Sequence, residues 1–310
     1  MEFRMALLFL PLLLLPLLTK DERTQPLEEI ISMENLKAHV RNLHVDRNPY
    51  DRFQQLEEAG QYIHSEFLKT GLRVWEESFQ WEGKSYKNII AEKKGAASPQ
   101  KIFILGAHYD TVPGSPGADD NASAVALLLE VARKIGGMGF PSTIRLIAFN
   151  LEEYGYIGST HYAERAKREG EKIAGMISVE MVGFTHSRQA YPPYLDPKYY
   201  PNVGDFIAII GNERSRVFAE KVYHSFRTRV PGLPAEYLVV PRNGEMMEEA
   251  RLSDHCPFWD QGFPALMVTD TAFLRNPNYH LPTDTLDTLD FEFMRKVAVG
   301  VYYSIVELAK

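Results

Sequence analysis

Between residues 101 and 180 three short apolar runs alternate with two stretches whose apolar residues fall at helical spacing. KIFILGA at 101–107 is apolar without alternation, the pattern of a strand buried on both faces. Residues 143–150 and 173–180 follow the same pattern, and 122–135 and 158–167 read as the helices between them. A chain written this way folds as a mostly parallel sheet covered by helices on both faces, so the predicted architecture is a three-layer α/β/α sandwich around a mostly parallel mixed sheet.

The flanking segments extend that plan. Residues 27–43 and 53–68 carry helical periodicity, and Gly71 stops the second run. Strand-like residues at 73–79 and 86–91 are joined by Glu82-Gly83, which predicts a hairpin. Further strands are expected at 206–210 and 265–269, and further helices at 215–227 and 291–308. The Pro- and Tyr-rich segment 189–202 reads as an ordered loop rimming a site. Residues 21–310 are expected to form a single domain, because the residues suspected of chemistry run from 108 to 280 without a linker.

Residues 1–20 place Arg4 before an apolar run at 6–18 that is too short for the roughly 20 residues of a spanning helix. The segment reads as a signal peptide or, if uncleaved, as a membrane anchor, and predicts export to a periplasmic or extracellular location. A formal net charge of -7 and the lack of Lys/Arg runs exclude a nucleic-acid partner. The one cysteine, Cys256, rules out an internal disulfide.

In open α/β sheets ligand sites collect beyond the carboxyl ends of the strands. His108 follows the run ending at Ala107, Glu152 and Glu153 follow the one ending at Asn150, and Glu180 closes the one begun at Ile173. Asp120 precedes the helix that opens at Ala122, and His280 lies in a Pro-bounded loop after the last strand. Singly, each is an ordinary structural residue: a strand-end histidine, a solvated Glu-Glu pair, an N-cap aspartate. Together they make a metal site.

Two histidines and three carboxylates suit zinc. If Asp120 bridges, His108 and Glu180 complete one ion, while Glu153 and His280 complete the other. Two Zn²⁺ against three carboxylates leave one net positive charge, which polarises a carbonyl and acidifies water. Asp110, two residues beyond His108, is placed to orient its imidazole. Glu152 is then free to act as general base.

The motifs GAHYD (106–110), GADDNASAVA (117–126), NLEEYGYIGS (150–159), SVEMVG (178–183), SDHCPF (253–258) and NYHLPTDT (278–285) make the chain resemble the bacterial leucyl aminopeptidase family of di-zinc exopeptidases. The superfamily also contains glutamate carboxypeptidases and glutaminyl cyclases. The resemblance implies the same five ligands, Glu152 as general base, Asp110 orienting His108, and a cis peptide bond after Asp120. The implied activity is that of an aminopeptidase hydrolysing peptide substrates. Its rivals are a one-zinc glutaminyl cyclase, a zinc carboxypeptidase or deacylase, and a non-catalytic binding domain on the same fold.

Two departures stand out. Glu180 replaces the aspartate that many members carry at that ligand, and Ala250 stands where better-known aminopeptidases place a tyrosine that stabilises the oxyanion. Arg251 or His255 is the expected substitute donor. Ser253-Asp254-His255 holds the residue types of a hydrolase triad, but three consecutive side chains do not converge into one, so a supporting role is expected.

Overall fold

The pair Glu82-Gly83 adopts φ of 46° and 77°, two consecutive left-handed residues that match the twist of flanking strands and close a tight hairpin. In the computed structural model, which describes residues 26–310, it joins β1 (Arg73–Trp81) to β2 (Lys84–Lys93). The leader at 1–20 lies outside the described residues. None of the helices among the described residues is long and apolar enough to cross a membrane.

Before the hairpin come α1 (Leu27–Ile30), α2 (Met33–Leu43) and α3 (Phe53–Leu68). The continuous helix expected over 27–43 is broken at Ser32. Its hydroxyl accepts from the Asn35 N–H at 3.2 Å, and its own N–H donates to Glu130 at 2.9 Å. A capping serine with a buried carboxylate partner outweighs the apolar periodicity that runs through it.

After the hairpin follow β3 (Ser98–His108), α4 (Ala124–Ile135), β4 (Ser142–Phe149), α5 (Ile157–Arg168) and β5 (Lys172–Glu180). Then come β6 (Ile207–Asn212), α6 (Arg216–Arg229), β7 (Ala235–Val240), α7 (His255–Asp260), β8 (Ala265–Thr269) and α8 (Phe291–Ala309). Strand β7 and helix α7 were not anticipated. AEYLVV carries a charge in mid-run, and six residues are too few to show a helical period.

The eight strands form one sheet in the order β1-β2-β4-β3-β5-β8-β6-β7. Its centre is parallel: β3 pairs with β4 and β5, and β5 with β8. The hairpin joins antiparallel through β2 and β4, and β6 runs antiparallel to β8 but parallel to β7. The sheet is therefore mixed, as expected.

Strand side chains divide between two cores. Phe103, Leu105 and Ala107 pack with α2, α3, α4, α6 and α8, whereas Ile102 and Ile104 pack with Tyr162 and Ala163 of α5 and Phe258 and Trp259 of α7. This alternation makes the middle layer and explains why β3 reads as uninterrupted apolar sequence.

Candidate active site

His108 is the last residue of β3, and beyond it Asp110 is fully buried. The two oxygens of Asp110 accept the backbone N–H groups of Glu152 and Glu153, both at 3.1 Å. One carboxylate thus fixes the turn after β4 that presents both glutamates. Asp110 lies 3.6 Å from His108 Nδ1, beyond hydrogen-bond range, so its closest engagement is with the glutamate turn rather than with the imidazole.

Asp120 sits in an irregular helical turn, Ala118–Ser123, whose φ/ψ leave the helical region at Asp120 and Asn121. The Asp120–Asn121 peptide bond is cis, in line with the resemblance. Asp284 holds this turn by accepting the N–H groups of Asp119 at 2.9 Å and Asp120 at 3.0 Å. Asn121 ties it to the end of β5, donating to the Val179 carbonyl and accepting from the Met181 N–H, both at 3.0 Å. Glu180, the last residue of β5, accepts from the Ser253 hydroxyl at 2.8 Å.

These supports bring the predicted ligands together. His108 Nε2 lies 3.3 Å from Asp120 Oδ1 and 3.4 Å from Glu180 Oε1. His280 Nε2 lies 3.2 Å from Asp120 Oδ2 and 3.0 Å from Glu153 Oε2. Asp120 therefore turns one oxygen to each histidine, the arrangement of a bridging carboxylate. Glu152 is also near, 3.9 Å from His108 Nε2, and His108, Glu152 and Glu180 offer donor atoms within 4.8 Å of one another.

The cluster fits a divalent cation. His280 Nε2 and Glu153 Oε1 are buried without a hydrogen-bond partner, although carboxylates stand within contact distance. Lone pairs that converge without bonding one another are the mark of donors aimed at a common point. Burial, reinforced by Asp120, pushes Glu153 up to about 8. Burial and the neighbouring Glu180 and Glu153 also raise Glu152 well above the carboxylate range, with His108 opposing. Added positive charge would relieve that crowding. Two imidazoles among carboxylates suit zinc.

Beside the cluster a cavity of about 330 Å³ extends over the sheet face beyond α7, lined by Glu152, Glu153 and Glu180 at one side. The segment expected to rim the site does so: Tyr191, Tyr194 and Tyr200 line the cavity, and the Tyr194 hydroxyl donates to Glu249 across it. Tyr279 stacks on the His280 ring, with centroids 3.7 Å apart.

Arg251 and His255 are not brought into the cavity lining. The Arg251 guanidinium is taken up by Asp260, at 2.9 and 3.0 Å, and by the Asn243 carbonyl at 2.7 Å. His255 is fully buried, with Nε2 2.8 Å from the Ala250 carbonyl and its ring edge-on to Trp259. A supporting role was expected for Ser253, whereas the parts played by Asn121 and Asp284 were not anticipated. All three lie inside the recognised motifs, but no spacing rule reveals which backbone group such a side chain will reach.

The model of peptidase family M28 matches residues 88–305. The uncharacterized protein YfbL of Escherichia coli is 33% identical over 297 residues, which cover 87% of this chain and 86% of that protein. Aminopeptidase YwaD of Bacillus subtilis is 29% identical over 231 residues, 72% of this chain but 45% of the relative, so this chain spans about half of that protein's length. The crystal structure of the Legionella pneumophila LapA aminopeptidase superposes with a TM-score of 0.73 at 19% identity, covering 94% of this chain and 75% of the other, a likeness of fold. The family match begins in β2 and ends in α8, taking in every strand end that carries a predicted ligand, and the chain accordingly belongs to peptidase family M28.

Proposed function

We propose that this chain is a zinc aminopeptidase holding two ions, with Asp120 bridging them, His108 and Glu180 completing one set and His280 and Glu153 the other. The observation that carries the reading is the division of Asp120 between the two histidines. Bound there, zinc supplies positive charge that polarises a peptide carbonyl and acidifies water.

The protein's own part begins with Glu152, which takes the proton of the attacking water and delivers it to the leaving amine. Its backbone is set by Asp110, and Ser253 keeps Glu180 turned toward His108. The peptide lies in the cavity with the residue ahead of the scissile bond over the sheet face. One sheet carrying all eight strands supports treating 21–310 as one peptidase domain, and the apolar leader supports a role outside the cytoplasm.

The test is a screen of the purified, zinc-loaded chain against peptides with free and blocked amino termini. Cleavage of the free ones alone is the expected result, with two zinc per chain by elemental analysis. Glu152→Gln should keep the metal and lose turnover by roughly 10²–10⁴-fold. Cleavage of blocked peptides would instead assign a carboxypeptidase or deacylase, and cyclisation of amino-terminal glutamine with one zinc a glutaminyl cyclase.

A further inference from the structure

The helices on the cavity side of the sheet end with α7, and the face of β6 and β7 left over is covered by the segment 189–202. Strand register makes the floor of this space explicit. Glu180 pairs with Thr269 of β8, Thr269 with Ala208 of β6, and Ala208 with Glu236 of β7. Paired residues share a face. A single row therefore runs from a metal ligand to Glu236 across three strand spacings, about 14 Å between backbone positions.

Glu236 is half-buried, and among the described residues no hydrogen bond or ion pair engages its carboxylate. No lysine, arginine or histidine lines the cavity. The other carboxylate away from the metal cluster, Glu249, already accepts from Tyr194. Around Glu236 the walls are aromatic: Tyr191 and Tyr200 pack with ring centroids 5.3 Å apart, while Phe206, which also lines the cavity, already carries the Arg275 guanidinium 4.7 Å from its ring centroid. The Tyr191 hydroxyl donates to the Pro201 carbonyl and is not available to Glu236. Aromatic faces beside an unpaired carboxylate, reached over an apolar floor, are complementary to a cation on a long apolar stem.

We propose that Glu236, with Tyr191 and Tyr200, forms a subsite for the side-chain cation of an amino-terminal arginine or lysine. Glu236 is thereby a specificity-determining residue. The aliphatic stem lies over Ala208, Thr269 and Met267, and the charged tip reaches Glu236 between the aromatic rings. A leucine side chain occupies the near part of the floor and stops short of the carboxylate. The inference rests on the aminopeptidase reading for the identity of the residue ahead of the scissile bond.

The experiment has two readouts on the zinc-loaded chain. The first compares kcat/KM for amino-unblocked arginyl, lysyl and leucyl amides in the wild type and in Glu236→Gln. The wild type should favour the basic amides at least tenfold, and the variant should lower that preference roughly tenfold, the usual scale for losing a hydrogen bond to a charged group. Turnover of the leucyl amide by the same preparation reports that the variant is folded. The second measures the affinities of free arginine and norleucine by calorimetry, where the variant should lose the preference for arginine. If leucyl amide is cleaved and neither preference responds to Glu236, the subsite is refuted and the peptidase reading stands. If no amide is cleaved but arginine binds over norleucine in a Glu236-dependent way, the subsite stands and the peptidase reading falls. Absence of both cleavage and preference refutes the two together.

Discussion

His255 lies fully buried between the Ala250 carbonyl and the Trp259 ring, and burial pushes its pKa down to about 4. In the unfolded chain the same ring titrates near 6.5. As pH falls below about 6.5 the unfolded state takes up a proton that the folded state refuses until about 4, so the stability this residue contributes is complete above that range and declines through it. By pH 5 the loss amounts to about 2 kcal/mol. Urea unfolding at pH 7.5 and pH 5 measures it, and His255→Gln should flatten the difference by about that amount.

This burial also marks the limit of what could be read residue by residue. The convergence of His108 and Glu180 could be anticipated because each closes a strand, β3 and β5, and a strand end fixes where a side chain emerges. The place of Arg251 could not, since the direction a loop side chain takes depends on what awaits it, and Asp260, nine residues on, draws this one away.

At the scale of elements, the turn that carries Asp120 depends on a residue 164 positions away. Asp284 satisfies two adjacent buried N–H groups with one carboxylate. Asp284→Ala should keep the fold by circular dichroism yet lower zinc affinity by about 10–100-fold in a chelator competition, the usual cost of removing a group that holds a ligand in place. An affinity equal to the wild type would show that the turn is set locally. Element types and most positions followed from periodicity. The break at Ser32 and the strand β7 did not, because a capping hydrogen bond and an edge position are tertiary facts.

For the molecule as a whole, the predicted class emerged from alternation alone, but the insertion of β8 between β5 and β6 could not, since sequence order says nothing of which edge a late strand joins. Every predicted ligand lies at a carboxyl-terminal strand end or in a connection beyond one, so an ion held by them would tie together parts of the chain from 108 to 280. Stripping it leaves buried carboxylates facing each other. Thermal unfolding should therefore shift downward in chelator and return with zinc, each ion adding about 2.7 kcal/mol at a free concentration one hundred times its Kd. An unchanged midpoint would mean that the cluster does not bind metal in the folded chain.

The cover formed by 189–202 contributes walls to the cavity, while the predicted metal donors all come from elsewhere. This part of the cavity wall and the predicted metal donors thus occupy separate stretches of one polypeptide. The rim segment can therefore change in sequence without altering any of those donors.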